Sequence, residues 1–290
     1  MDGNLSRYLD GMGQRHQGIL SAADLAAIRR TVVCIAGTGG TGGHTALAMA
    51  RAGFRSFRLA DPGAYDPSNA NRQSGASFGT IGANKAEVTA MQVREINPTA
   101  ETVVFTEGAT VQNLPEFLAG GSLAVDGVDL YALPAKRALY NAARERGLPV
   151  LSTPIFGFGA ALAIFDPKVS PSFDEYFGPL PESDDAKGQR RYRMRLAARF
   201  FGFVTPVNLA EFAGRVHAGE CPSLGTSTML AGALGALAAV DLATGRRFYP
   251  VVPRTMHIDL QVPRAVTAGP VRRWLFQAQM IWRLMRARAI

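Results

Sequence analysis

Cysteine is scarce in this chain: among 290 residues there are two, Cys34 and Cys221. Two cannot build a disulfide framework or a four-cysteine zinc site, so no zinc is expected. Cys34 sits inside the apolar run TVVCIAG and reads as a small buried hydrophobe. Long apolar runs are missing too. No stretch approaches the roughly 18 uninterrupted apolar residues that cross a bilayer. The best, 229–239, is short and rich in Gly and Ala. The first twenty residues lack the apolar core of a secretory signal. These absences predict a reduced, cytoplasmic setting and no membrane span. Nucleic-acid motifs are also absent. Lys and Arg number 31 against 23 Asp and Glu, a formal net charge of +8. That excess suits a polyanionic ligand or an acidic partner, and no nucleic acid is expected.

What is present is a soluble-protein composition, 47% hydrophobic and 19% charged, with enough apolar residues for a full core. Residues 4–30 read as two helical pieces, with Ser21 capping the second. Residues 31–36 form an apolar, partly β-branched run, the pattern of a strand buried on both faces of a parallel sheet. A glycine loop follows at 37–43, then an Ala-rich helix stopped by Gly53. Further strands are predicted at 56–60, 102–105, 123–126, 149–153 and 156–165. Helices are predicted at 85–96, 114–119 and 134–146. Strands and helices alternating at this spacing predict an α/β fold, a doubly wound, mostly parallel Rossmann-like sheet with helices on both faces. The pattern breaks at Asp166. The chain therefore divides into an N-terminal helical arm (1–30), a nucleotide-binding core (31–165), an insertion with one helix (166–225), and a core-closing helix with a basic amphipathic tail (226–290).

Gly37, Gly39 and Gly42 match G-x-G-x-x-G between a strand and a helix, with Gly40 inside the turn. Glycines there let backbone N–H groups approach a phosphate at the helix N-terminus. Asp61 ends the next strand, where a carboxylate can accept from ribose hydroxyls. A nucleotide site follows, but not which nucleotide. An NAD(P)- or flavin-dependent oxidoreductase satisfies this much equally well.

The loop after Asp61 offers Asn69, Asn71, Arg72 and Gln73, then Lys85 at a helix start. A bridging pyrophosphate has little use for a cationic pair. A triphosphate that expels pyrophosphate does, because charge grows on the leaving group. Together the glycine loop, Asp61, N-x-N-R-Q at 69–73, I-G-x-x-K-A at 81–86, Ile96-Asn97-Pro98 and VDGVD at 125–129 resemble the ThiF/MoeB/HesA family of ATP-dependent activating enzymes, bacterial relatives of ubiquitin-activating enzymes. The resemblance covers roughly residues 15–165 and 220–245, without the family's paired C-x-x-C motifs.

That resemblance implies an adenylyltransferase that joins a carboxylate to the α-phosphorus of ATP, on a protein or peptide C-terminus, a ubiquitin-like tail or a small acid. A role in natural-product or cofactor biosynthesis is the expectation. By the same resemblance Asp61 holds the ribose, Arg72 and Lys85 contact the phosphates, and Asn69 and Gln73 position them. Asp129 coordinates Mg²⁺, and Asp126 holds the geometry or caps the loop after its strand. Family members are usually homodimers in which an N-terminal arginine reaches the neighbour's ATP, and Arg15 resembles it. Cys221, in GECPSLG, lies where some relatives place a sulfur nucleophile, with a helix N-terminus expected to favour its thiolate. The alternative is a packing cysteine. The insertion is a candidate cover over a labile product. The tail's stripe of Trp274, Leu275, Met280, Ile281, Trp282 and Leu284 is expected to pack on the body or across a dimer.

Overall fold

The computed structural model describes residues 3–182, 184–200, 220–261 and 264–272, with isolated positions between and beyond them. Helices α1 (Gly3–Gln14) and α2 (Ala22–Arg30) form the arm, and Ser21 closes a capping box with Asp24 at the start of α2. Such a cap contributes about 1 kcal/mol. Then come β1 (Val32–Ala36), α3 (Gly40–Ala52), β2 (Ser56–Ala60), α4 (Lys85–Ile96), β3 (Glu101–Phe105), α5 (Leu114–Phe117), β4 (Leu123–Asp126), α6 (Leu133–Glu145) and β5 (Val150–Ser152). Strands run parallel in the order β3-β2-β1-β4-β5, so the order reverses between β1 and β4. Ligands of open α/β sheets bind outside the strand C-termini at such a reversal.

Continuous apolar runs make these strands because both sheet faces are covered. One face packs Ile28, Met49 and Ala90 from α2, α3 and α4, with Phe54 from the loop after α3. The other packs Phe117 from α5 and Leu139 from α6, with Phe173 and Leu196 from farther along the chain. Gly53 takes φ 100° and ends α3, as its position predicts.

Three expectations change after β5. The predicted strand at 156–165 is a hairpin, β6 (Ile155–Phe156) and β7 (Gly159–Phe165), because Gly157 adopts φ 47° and turns the chain. β7 runs antiparallel to β5, and the sheet continues through β8 (Thr255–Asp259) and β9 (Arg264–Ala268), both unforeseen. The insertion holds two described helices where one was expected, α7 (Phe173–Phe177) and α8 (Ala186–Phe200).

The closing helix α9 (Gly225–Thr244) is long and apolar enough to cross a membrane, but it lies against α3 and β7 with Ala231, Leu234, Ala238 and Ala239 buried. Small residues permit the approach: a Cβ on Gly232 would come within 2.5 Å of His44 Cβ. Trp274, Leu275 and Trp282 are exposed on this chain. Met280, Ile281 and Leu284 lie outside the described residues.

Candidate nucleotide and substrate site

The glycine turn is built by backbone contact. Gly37 has φ 86°, and any Cβ on it would overlap the carbonyl oxygen of Gly127, just beyond β4. A Cβ on Gly42 would overlap the Gly37 carbonyl. The turns after β1 and β4 therefore touch, and α3 starts at Gly40, where the first N–H groups of a helix have no intrahelical acceptor.

Asp61 is buried beside this turn. Its Oδ2 accepts from Thr38 N at 2.8 Å and its Oδ1 from Gly63 N at 2.8 Å. Asn84, which sequence reasoning overlooked, caps α4 and donates from Nδ2 to the Asp61 carbonyl at 3.0 Å. That cap puts Lys85 at the first helical position, where its Nζ and Asp61 Oδ1 both border the space beside Gly63. Lys85 Nζ also lies 5.9 Å from the centre of the Tyr65 ring. The acid and one predicted cation thus sit together.

Gln73 is buried with its carboxamide over Gly39, 3.5 Å from where a Cβ would stand, and its Oε1 has no hydrogen-bond partner. An unpartnered buried acceptor at a glycine turn is costly unless something binds there. The neighbouring Arg72 is anchored through its carbonyl, which accepts from Thr228 Oγ1 at 2.8 Å and from His44 Nε2 at 3.2 Å. Burial holds His44 below its usual value, so the ring is neutral at pH 7 and Nε2 carries the proton. The Arg72 guanidinium donates through Nη1 to the Ser68 carbonyl and Asn71 Oδ1. Its Nε and Nη2 remain without partners among the described residues.

Asn69 and Asp126 both make hydrogen bonds within the fold. Asn69 closes a short 3₁₀ turn with Asp66: its Oδ1 accepts from Asp66 N at 3.2 Å and its Nδ2 donates to Ser68 Oγ at 3.5 Å. Asp126 is buried and fully engaged. Its carboxylate accepts from Lys136 Nζ (2.6 and 2.7 Å), Tyr140 OH (2.7 Å), Ser152 Oγ (3.0 Å) and Val128 N (3.2 Å). It holds β4, β5 and α6 in register. Burial, with the Asp126 carboxylate adding to it, keeps the Tyr140 hydroxyl protonated.

Asp129 is exposed; Oδ1 accepts from Tyr131 N at 2.9 Å and Oδ2 accepts no bond among the described residues. No cluster of three metal-ligating side chains occurs among the described residues. A Mg²⁺ held by one carboxylate and substrate phosphates does not need one, so Asp129 fits that ion. Arg15 lies exposed in the turn after α1, and no described contact ties it to its own glycine turn.

Cys221 is exposed and lies four residues ahead of α9, not at its N-terminus. Desolvation and the Asp129 carboxylate push its thiol up to about 11, with the Arg72 guanidinium pulling the other way. The expected stabilised thiolate is therefore corrected to a protonated thiol at neutral pH. Iodoacetamide labelling of Cys221, followed by mass spectrometry, is expected to speed up about tenfold per pH unit from 7 to 9. A rate that levels off by pH 8 would contradict this placement. The insertion reaches the same region: Arg193 of α8 stacks 5.1 Å over the Tyr131 ring, and Tyr131 OH donates to the Glu220 carbonyl at 3.2 Å.

The tRNA threonylcarbamoyladenosine dehydratase of Escherichia coli K12 is 33% identical over 122 residues, 42% of this chain and 45% of that protein. The vegetative HesA protein of Trichormus variabilis is 28% identical over 186 residues, 62% and 66% of the two chains. The chain spans about half the length of the dehydratases it matches. Among solved structures, E. coli MccB with ATP superposes at TM-score 0.67 with 14% identity, covering 90% of this chain and 72% of MccB. PaaA superposes at 0.66 with 19% identity over 93% and 84%. The ThiF family model matches residues 14–268, and the chain belongs to the ThiF family.

Proposed function

We propose that this protein is an ATP-dependent adenylyltransferase that activates a carboxylate. In this reading a carboxylate oxygen attacks the α-phosphorus of ATP. The new C(O)–O–P bond forms as the bond from the α-phosphorus to its bridging oxygen breaks, and pyrophosphate leaves with the developing charge. No covalent enzyme intermediate is needed, so the protein's contribution is placement and charge neutralisation.

The observation that carries the reading is the gathering of Asp61, Lys85 and the unpartnered Gln73 carboxamide around one glycine turn. Asp61 would hold the ribose, Lys85 and the two open nitrogens of Arg72 the phosphates, and Asp129 would hold a Mg²⁺, which would supply positive charge against the leaving pyrophosphate. Support also comes from family membership and from the likeness to MccB, which has been solved with ATP. The substrate class is a peptide C-terminus or a small acid. The test is carboxylate-dependent exchange of labelled pyrophosphate into ATP. Exchange with at least one acid in a broad panel is expected. ATP binding without exchange by any acid would overturn the reading.

The reading extends to a homodimer in which Arg15 completes the neighbour's site. Mixing inactive Arg15→Ala and Arg72→Ala proteins is then expected to restore about a quarter of wild-type exchange. Half of randomly re-formed dimers are mixed, and each carries one intact site of two. No recovery after subunit exchange would place Arg15 outside catalysis.

A further inference from the structure

Behind the glycine turn, at the C-terminal ends of β4 and β5, lies a cavity of about 150 Å³ that no nucleotide-binding residue uses. Its walls include Thr41 from the start of α3, the Gly127-Val128 backbone, Thr153, Ile155 and Phe156, with Phe177 and Leu196 contributed by the insertion. A group seated there has its stem against Thr41 and Gly127, the two segments that border the glycine turn. That is where an acid whose carboxylate faces the turn would place its α-substituent.

The lining sets the chemistry. Asp126 and Lys136 are the charged groups facing the cavity and they neutralise each other, so a charged guest would be desolvated without a counter-ion. Most of the remaining wall is apolar. Thr153 is 1% exposed, and its Oγ1 has no hydrogen-bond partner. A buried hydroxyl in that state calls for a guest with a polar tip. An apolar cavity of about 150 Å³ holds a benzene-sized group, so one ordinary side chain fits.

We propose that this cavity receives the side chain of the residue bearing the reacting carboxylate, an uncharged side chain with an apolar stem and a hydroxyl or carboxamide tip. The substrate is then not a glycine-ended tail. The inference rests on the adenylation reading and specifies its substrate.

Alanine pentapeptides whose last residue is replaced by Gln, Thr, Leu, Glu or Gly test it on the full chain, by pyrophosphate exchange and by calorimetric ATP binding. The Gln and Thr peptides are expected to exceed the Gly peptide by about 10–100-fold in kcat/KM, the range that one pocket contact or an unpaired polar group supports. Ile155→Trp fills the cavity and is expected to bring them to the Gly level with ATP affinity unchanged. The volume-conserving Thr153→Val should erase the advantage of Thr over Leu while the protein stays folded. A Gly peptide equal to the others, or selectivity untouched in both variants, overturns the proposal. If ATP binds and no peptide supports exchange, the adenylation reading fails separately. The cavity is then judged by peptide binding to the ATP-loaded protein, where Gln and Thr should still outrank Gly and an equal ranking or no binding rejects it.

Discussion

Arg72→Ala is expected to lower carboxylate-dependent pyrophosphate exchange by about 10²–10³-fold, the loss typical when one charge-stabilising donor is removed from a site. The fold should survive because the two ends of this residue do different jobs. Its carbonyl ties the loop to α3 and α9 through His44 and Thr228, and alanine keeps that carbonyl. Only the guanidinium is lost, with its two Nη1 bonds inside a partly exposed loop. Bonds from a cation that water would otherwise solvate contribute about 1 kcal/mol each net at a partly exposed position. A thermal melt should therefore move little while exchange collapses. Asp129→Ala is expected to behave alike, since its described contact is one turn bond to Tyr131 N. Near-normal exchange in either variant would remove the residue from the reaction; a large loss of stability would make it a loop anchor.

These expectations were legible in the sequence because the residues involved sit in local motifs. The glycine turn, Asp61 at a strand end and Lys85 at a helix start are each fixed by two or three neighbours in the chain, and α4 spans Lys85–Ile96 as expected, ending at Asn97-Pro98. What escaped notice depends on long-range packing. β8 buries Thr255, His257 and Asp259 and turns Met256 and Ile258 toward partly covered surfaces, so its alternation is the reverse of an amphipathic strand. The β6–β7 hairpin hides in an apolar run whose only break is Gly157-Phe158-Gly159. Asn69 and Asp126 carry the right residue types for a nucleotide site, but their hydrogen bonds are taken by Asp66 in one case and by Lys136, Tyr140 and Ser152 in the other. Partners 10, 14 and 26 positions away in the chain leave no local signature.

Lys136 is the plainest instance, and its removal should have the largest effect on stability. In the sequence it is one more basic residue on an amphipathic helix; in the fold it is 7% exposed, with Nζ on both Asp126 oxygens. Lys136→Met keeps the stem and deletes the charge. Asp126 is then a buried carboxylate with no cation, a state that typically costs 3–5 kcal/mol or about that much. Urea unfolding followed by circular dichroism should show this as a lower midpoint at unchanged slope. Adding Asp126→Asn should recover much of the loss, because a neutral amide oxygen can still accept from Tyr140 and Ser152 and no charge remains buried. ATP affinity should fall with the single change and return with the double, because Asp126 precedes Gly127, whose backbone supports Gly37. A single variant that unfolds at the wild-type midpoint would mean that the pair does not hold β4 to α6.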